Sequence, residues 1–255
     1  MALTKIPIEL SSTPSIVDGG NATAITIDSN ENVTLGVPNS VNLSGATTEL
    51  TLGDTGNTDN DGFGISFVHN TTELNAYVLG QKSAMTLGTA GATPLNIVTN
   101  NSARMVIDSS GRVTMPSQPA FLARPSGAQS NIPINATTTV VFGTEVFDVG
   151  ANFASNAFTA PVTGKYQFNV NIYLNTLDTA TTYYQLDIVT SNRTYYDICP
   201  SGMFSADLNY YVLQVSVLAD MDASDTVLAK LSLPNNGTAQ ADISSVSFFS
   251  GYLVA

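Results

Sequence analysis

Charge is scarce in this sequence. Only 11% of its 255 residues are Asp, Glu, Lys or Arg, so Asn, Thr, Ser and Gly must supply most of the polar surface. Basic residues are the scarcest: eight Lys and Arg stand against 20 Asp and Glu, a formal net charge of −12. A surface of that sign repels phosphate backbones, and no Lys/Arg cluster interrupts it, which argues against nucleic-acid partners. Cys199 is the one cysteine, so no intrachain disulfide can form. That lack points to synthesis in a reducing cytoplasm. No run approaches ~18 consecutive apolar residues, and the opening "MALTKIPIELSSTPSIVDGG" has no apolar core of signal-peptide length. Membrane insertion is not expected.

Catalytic and metal-binding residue types are thin as well. His69, in "SFVHNTTE", is the one histidine, and Cys199 lies in a different part of the chain. A zinc site would need several His or Cys ligands. Gly-x-Ser-x-Gly, Walker and dinucleotide fingerprints are missing. The chain is therefore expected not to be an enzyme and to hold no cofactor, with calcium as the one ion to weigh. "NTDNDG", Asn57 to Gly62, follows the opening of an EF-hand loop, but Val68 stands at the twelfth position, where glutamate is required. A solvated turn is the simpler reading, and an irregular cation site with Asp54 is the alternative. "DMDASDT" clusters Asp220, Asp222 and Asp225 in a similar way.

Aromatic residues are present but unevenly placed. Of 11 Phe and 10 Tyr, only Phe63, Phe67 and Tyr77 precede Pro116. Charge shows no such break, with four basic and ten acidic residues in each part. Aromatic side chains dominate core energetics, so the C-terminal part can build its own core. The aromatic-poor part reads as short strands, among them "AITI", "NVTLGV", "ELTL", "GISFV", "AYVLG", "AMTL", "LNIV", "RMVI" and "RVTM". Turn residues punctuate them roughly every ten positions. Thin apolar faces of this kind suit a shaft in which identical chains share an axis, or a single-chain sandwich with a poor core. "IDSNENVTL", Ile27 to Leu35, is repeated as "IDSSGRVTM", Ile107 to Met115, and each copy reads as a hairpin.

The C-terminal part alternates with period two. Tyr166, Phe168, Val170, Ile172 and Leu174 share one face, and Gln167, Asn169 and Asn171 the other. The same pattern places Tyr211, Leu213, Val215 and Val217 together, and likewise Val227, Ala229, Leu231 and Leu233. Strands joined by Pro, Gly, Asn and Asp turns point to an antiparallel sandwich.

"FDVGANFASNAFTAPVTGKYQFNVNIY", Phe147 to Tyr173, resembles the central signature of the C1q/TNF-like family. Phe158, Pro161, Gly164, Tyr166 and Phe168 carry the match. "PAFLAR" at Pro119 resembles the opening strand of that family, and "SSVSFFSGYLVA", with Gly251, its closing strand. "MDASDTV" at Met221 takes the place of the family's "L-x-x-G-D-x-V" turn, with Ser224 where glycine is usual, which leaves the turn conformation open. The resemblance implies an all-β chain whose C-terminal jelly-roll sandwich is homotrimeric, and signature residues that make the fold rather than a site. "ARMVIDSSGRVTM" and its copy are similar to repeats of bacteriophage tail-fibre and other virion-fibre proteins.

Together these readings give an N-terminal anchor or docking segment over 1–20, a β-rich shaft over 21–116 and a C1q-like jelly-roll head over 117–255. Three tyrosine pairs, Tyr183–Tyr184, Tyr195–Tyr196 and Tyr210–Tyr211, are candidate receptor or trimer contacts. Neighbours on a strand face opposite ways, so each pair should turn one ring inward and offer the other. The expected function is a virion fibre whose head binds the host surface, possessing as partners itself, another virion protein and a host receptor that includes glycan as a candidate. A purely structural capsid or tail decoration fibre is the alternative. A polysaccharide-degrading tailspike would need a carboxylate pair in a cleft, and no motif supports one.

Overall fold

The computed structural model describes strands at 15–17, 23–27, 33–35, 63–69 and 73–81, together with residues 84–133, 135–234 and 240–255. The chain divides into two compact units, Met1–Gly88 and Thr89–Ala255. Among the described residues no helix is long and apolar enough to cross a membrane.

The first unit holds two antiparallel meanders. One consists of β1 (Ser15–Val17), β2 (Thr23–Ile27) and β3 (Val33–Leu35). The other consists of β4 (Phe63–His69), β5 (Glu73–Gln81) and β6 (Ala84–Thr89), the last strand ending at the unit boundary. Apart from β1, the anchor segment 1–20 lies outside the described residues, as do "ELTL", Asp54 and Asn57 to Gly62. His69 ends β4 opposite Glu73.

The second unit opens with a third meander, β7 (Leu95–Thr99), β8 (Ser102–Ile107) and β9 (Val113–Thr114). Asn100 and Asn101 join β7 to β8, both at positive φ, as a two-residue hairpin turn requires. The next turn is the repeated motif. Ile107 pairs with Val113, just as Ile27 pairs with Val33 in the first copy, so both copies close the hairpin in one register. In the second copy Asp108 Oδ1 accepts the backbone N–H groups of Ser110 and Arg112, both at 2.9 Å. Arg112 Nε donates to Asp108 Oδ2 at 2.6 Å. These bonds hold the Asp108 carboxyl below its ordinary range, the backbone bond from Arg112 most of all. Gly111, at φ +82, supplies the left-handed step.

The jelly roll follows. Its strands are β10 (Ala120–Arg124), β11 (Gln129–Ile132), β12 (Thr137–Thr139), β13 (Thr144–Val149), β14 (Phe153–Ala154) and β15 (Ala157–Thr159). Then come β16 (Gly164–Leu177), β17 (Tyr183–Thr190), β18 (Thr194–Pro200), β19 (Leu208–Met221), β20 (Thr226–Ser232), β21 (Ala241–Ile243) and β22 (Phe248–Leu253). The first sheet runs β13-β10-β22-β16-β19, with β21 also on β16 and β11 on β21. The second runs β14-β15-β20-β17-β18, with β12 on β20. β16 and β19 pair over nearly their whole length, from Gly164–Met221 to Leu177–Leu208.

The core lies between the sheets, where period-two alternation sends it. Tyr166, Phe168, Ile172 and Leu174 of β16 are 0% exposed, as are Val227, Ala229, Leu231 and Leu233 around β20. Leu213 and Val215 of β19 are buried, and Tyr211 and Val217 pack against them from the margin. Aromatic rings tie the sheets together. Phe121 stacks on Phe153 at 4.8 Å and on Phe158 at 4.9 Å, and meets Phe249 edge-on at 4.9 Å.

The signature residues serve this core. Phe158, Tyr166 and Phe168 are buried in it, and the Tyr166 hydroxyl donates to the Val162 carbonyl at 2.8 Å, clamping the bend that leads into β16. Pro161 sits exposed on that bend. Gly164 is required for a reason other than turn geometry: a Cβ there would stand 2.6 Å from the Ala255 carbonyl oxygen and 2.7 Å from Leu253 Cδ1. Gly251 is filled even more tightly, since a Cβ would lie 2.5 Å from Phe168 Cδ1 and 2.8 Å from Phe121 Cε1.

Ser224 settles the question its sequence position raised. It adopts φ +77, the conformation glycine would take freely. Its N–H donates to the Ala160 carbonyl at 2.8 Å, and Ala160 N–H donates to the Asp225 carbonyl at 2.8 Å, so the bend before β16 and the turn before β20 hold each other. Left-handed geometry costs a residue with a Cβ about 1–2 kcal/mol. Ser224→Gly should therefore raise stability by about 1 kcal/mol, or about 2–4 °C in Tm. Gly251→Ala should lower stability by about 1–3 kcal/mol through overpacking. Thermal unfolding of both variants checks the two signs.

Candidate functional site: the outer faces of the sandwich

The tyrosine pairs split as strand geometry requires. Tyr184 is fully buried and Tyr183, beside it on β17, is half-buried on the outer side. Tyr195 packs against the core while Tyr196 is 62% exposed. Tyr211 turns inward, edge-on to Phe204 at 5.5 Å, and Tyr210 is 64% exposed, stacked on Tyr173 at 5.9 Å. The outward rings thus divide between two surfaces. Tyr210 belongs to the outer face of the first sheet, Tyr183 and Tyr196 to that of the second.

The outer face of the first sheet is polar at its centre and apolar around it. Gln167 Nε2 donates to Ser216 Oγ at 3.0 Å, and Ser216 Oγ donates to Asn169 Oδ1 at 2.8 Å, across β16 and β19. Asn169, Asn171, Gln214, Ser216, Phe248 and Ser250 line a shallow cavity of about 310 Å³ there. Around this centre Phe147, Tyr210, Val212, Leu218 and Tyr252 are exposed by 38% to 64%. Alternation reveals which residues point outward. It does not reveal that β13 adds Phe147 to this face, because the pairing of β13 with β10 is a long-range contact.

Tyr184 is a structural anchor. Its hydroxyl accepts the Asp178 N–H at 2.8 Å and donates to the Asp178 carbonyl at 3.1 Å, pinning the loop between β16 and β17. Burial, more than any neighbouring charge, pushes this phenol up to about 12. Burial also pushes the thiol of the buried Cys199 up from its ordinary value. His69 belongs to the other compact unit.

Two of the three aspartates of the 220–225 turn, Asp220 and Asp225, are occupied by the fold. Asp225 Oδ2 accepts the Asp222 N–H at 2.9 Å and the Asn192 Nδ2–H at 3.0 Å. Asp220 pairs with Arg193 at 3.7 Å. Among the described residues no three His, Cys, Asp or Glu side chains stand together as a metal site would require.

Two sheets in this order, closed around one aromatic core and joined by crossing loops, define a jelly-roll sandwich. Residues 120–254 match the family model of the C1q domain, more than half of the chain, and the chain belongs to that family. Among solved structures, the globular domain of zebrafish complement 1qA protein is similar at 16% identity, with a TM-score of 0.42, covering 54% of this chain and 98% of that one. Murine APRIL, at pH 8.5, is similar at 13% identity and a TM-score of 0.39, covering 54% and 99%. The PRD1 vertex protein P5 is similar at 17% identity and a TM-score of 0.38, covering 55% and 99%. No curated protein matches the chain in sequence.

A phenol whose folded pKa exceeds its unfolded value stabilises the fold below the unfolded pKa, and that contribution is lost as pH rises through the folded one. For Tyr184 the window runs from the ordinary value of 10.0 to about 12. Stability should fall across it, and Tyr184→Phe should flatten that part of the profile. At neutral pH the same variant should lose about 1–3 kcal/mol, because the Asp178 N–H is left unpaired. Denaturant titration at a series of pH values checks both.

Proposed function

We propose that this chain is a virion fibre protein of the tail-fibre type, made in the host cytoplasm, whose C1q-like head assembles as a homotrimer and attaches the particle to the host surface. The observation that carries the reading is the apolar surface left uncovered on a single chain. Phe147, Tyr210, Val212, Leu218 and Tyr252 gather on the outer face of the first sheet. On the third meander Ile97, Val98 and Val113, and Met115 just beyond it, are each at least half exposed. Faces of this kind on an otherwise polar surface call for a partner, and copies of the same chain supply one without further components. The repeat resembling those of virion fibres supports the particle assignment, and residues 1–20 are the segment assigned to docking on another virion protein.

In this arrangement the first sheet faces its own kind and the second sheet faces outward. Attachment then works by multivalence: three heads per fibre convert weak contacts into durable adsorption. The head binds rather than reacts.

Light scattering on the purified chain should give three times the chain mass, and Leu218→Asp should shift it toward the monomer. An unshifted monomer in the unmutated chain would overturn the assembly. Saturating purified protein should also block adsorption of the particle to its host. Undiminished adsorption at saturation would leave the chain as a decoration without a receptor role.

A further inference from the structure

The outer face of the second sheet carries a pocket that none of the preceding argument uses. It has a volume of about 410 Å³ and is lined by Asn135, Thr137, Tyr183, Gln185, Asp187 and Ser232, with Ala136 and Pro234 at its edge. That volume lies within the ~300–1,000 Å³ usual for small-molecule sites. Tyr183, Gln185 and Asp187 alternate along β17 with the core residues Tyr184, Leu186 and Ile188, so all three side chains rise from the same face. Ser232 stands on neighbouring β20, and Thr137 comes from β12, which crosses the end of β20. The hydroxyls of Thr137 and Ser232 share a hydrogen bond of 2.9 Å.

Asp187 sets this pocket apart from an ordinary polar surface. It is 5% exposed although it lies on an outer sheet face. A carboxylate so far out of water normally has several donors or a cationic partner. Among the described residues its one donor is Gln185 Nε2, which reaches Oδ1 at 2.6 Å. Ion pairs among the described residues join Arg112 to Asp108 and Arg193 to Asp220; Lys230 stands directly across from Asp187 on β20, on the same outer face, without closing an ion pair with it. Its remaining acceptor capacity is held inside the pocket wall. Directly across the strand pair stands Tyr196, at a distance aromatic side chains bridge easily.

The chemistry of this lining selects a ligand class. The Asp187 carboxylate and the Lys230 ammonium across from it leave this part of the face without net charge, which favours a neutral ligand over an ion of either sign. One carboxylate is too few for a metal ion. Hydroxyl and amide groups on several sides disfavour a purely apolar guest. What fits is a neutral molecule with several hydroxyl donors and a flat, C–H-rich face to lay against a tyrosine ring.

We propose that this pocket binds a neutral sugar unit of a cell-surface glycan, with Asp187 accepting hydrogen bonds from two sugar hydroxyls, Gln185, Thr137 and Ser232 orienting them, and Tyr183 and Tyr196 supplying stacking faces. The inference rests on the reading of the head as a host-binding module, and it assigns that role to the second sheet.

The test uses the full chain on a glycan array carrying terminal neutral hexoses and N-acetylhexosamines, with sialylated and phosphorylated glycans as the counter-set. Binding to a subset of the neutral glycans is expected. Asp187→Asn keeps the shape and an acceptor for Gln185 and should weaken that binding about tenfold or more, with Tm and oligomeric state unchanged. Thr137→Arg, at an exposed position on the rim, should block the pocket without touching the core and guards against a folding defect in the first variant. No binding to any neutral glycan, binding only to the anionic set, or neutral-glycan binding that survives both substitutions would each overturn the inference. Adsorption competition separates it from the broader reading. If the unmutated chain competes and both variants compete equally well, host binding stands and the sugar pocket falls. If the unmutated chain binds neutral glycans but does not compete, the pocket stands and the attachment role falls.

Discussion

The sandwich depends on Gly251 of β22, over which the rings of the two neighbouring strands of the same sheet, β10 and β16, close. Gly251 has no side chain because Phe168 and Phe121 occupy the space a Cβ would take. That contact lets Phe121 reach Phe153 and Phe158 on the second sheet and lets Phe249 close the cluster edge-on. Burial of four or more rings in one cluster is the largest apolar contribution available to a chain so poor in charge. Alternation on β16 and β20 delivers further core side chains, but their sheets are held at working distance by the rings.

Once the core is fixed, the outer faces are free to differ, and they do. The first sheet presents uncovered aliphatic and aromatic groups around a patch of amides. The second presents hydroxyls, amides, a shielded carboxylate beside Lys230, the exposed Ile198 and two tyrosine rings. One sandwich thus carries a face rimmed by apolar groups and a face dominated by polar ones. The alternation that sends Tyr184 and Tyr195 to the core sends Tyr183 and Tyr196 to the solvent side of the same sheet.

Much of this was legible in the sequence because it is local. Period two located the core face of β16, β19 and β20, and the paired tyrosines announced their own division. Those short strands of the aromatic-poor part that fall among the described residues lie where turn residues leave room for them, although the brief "SIV" of β1 gave no signal. What stayed hidden is long-range. Gly164 is one signature residue among several in the sequence, and its constraint is the end of the chain, Leu253 and Ala255, lying against it. Ser224 left its turn undecided because φ depends on what the turn docks against, here the Ala160 carbonyl. Asp187 reads as one polar residue in a strand, and its burial follows only from the neighbours that pairing with β18 and β20 brings to it.

The meanders have a consequence for how such a chain can change. Each sheet, β1-β2-β3, β4-β5-β6 and β7-β8-β9, draws its strands from one continuous stretch of sequence and pairs them, among the described residues, with no strand from elsewhere. A module of that kind can be duplicated or removed as a block, and every surviving strand keeps its ladder partners. The recurrence of Ile27–Val33 pairing as Ile107–Val113 is what such copying would leave behind. Sequence upstream of the sandwich can then be edited in whole blocks, while Gly251 and the rings around it tolerate no comparable edit.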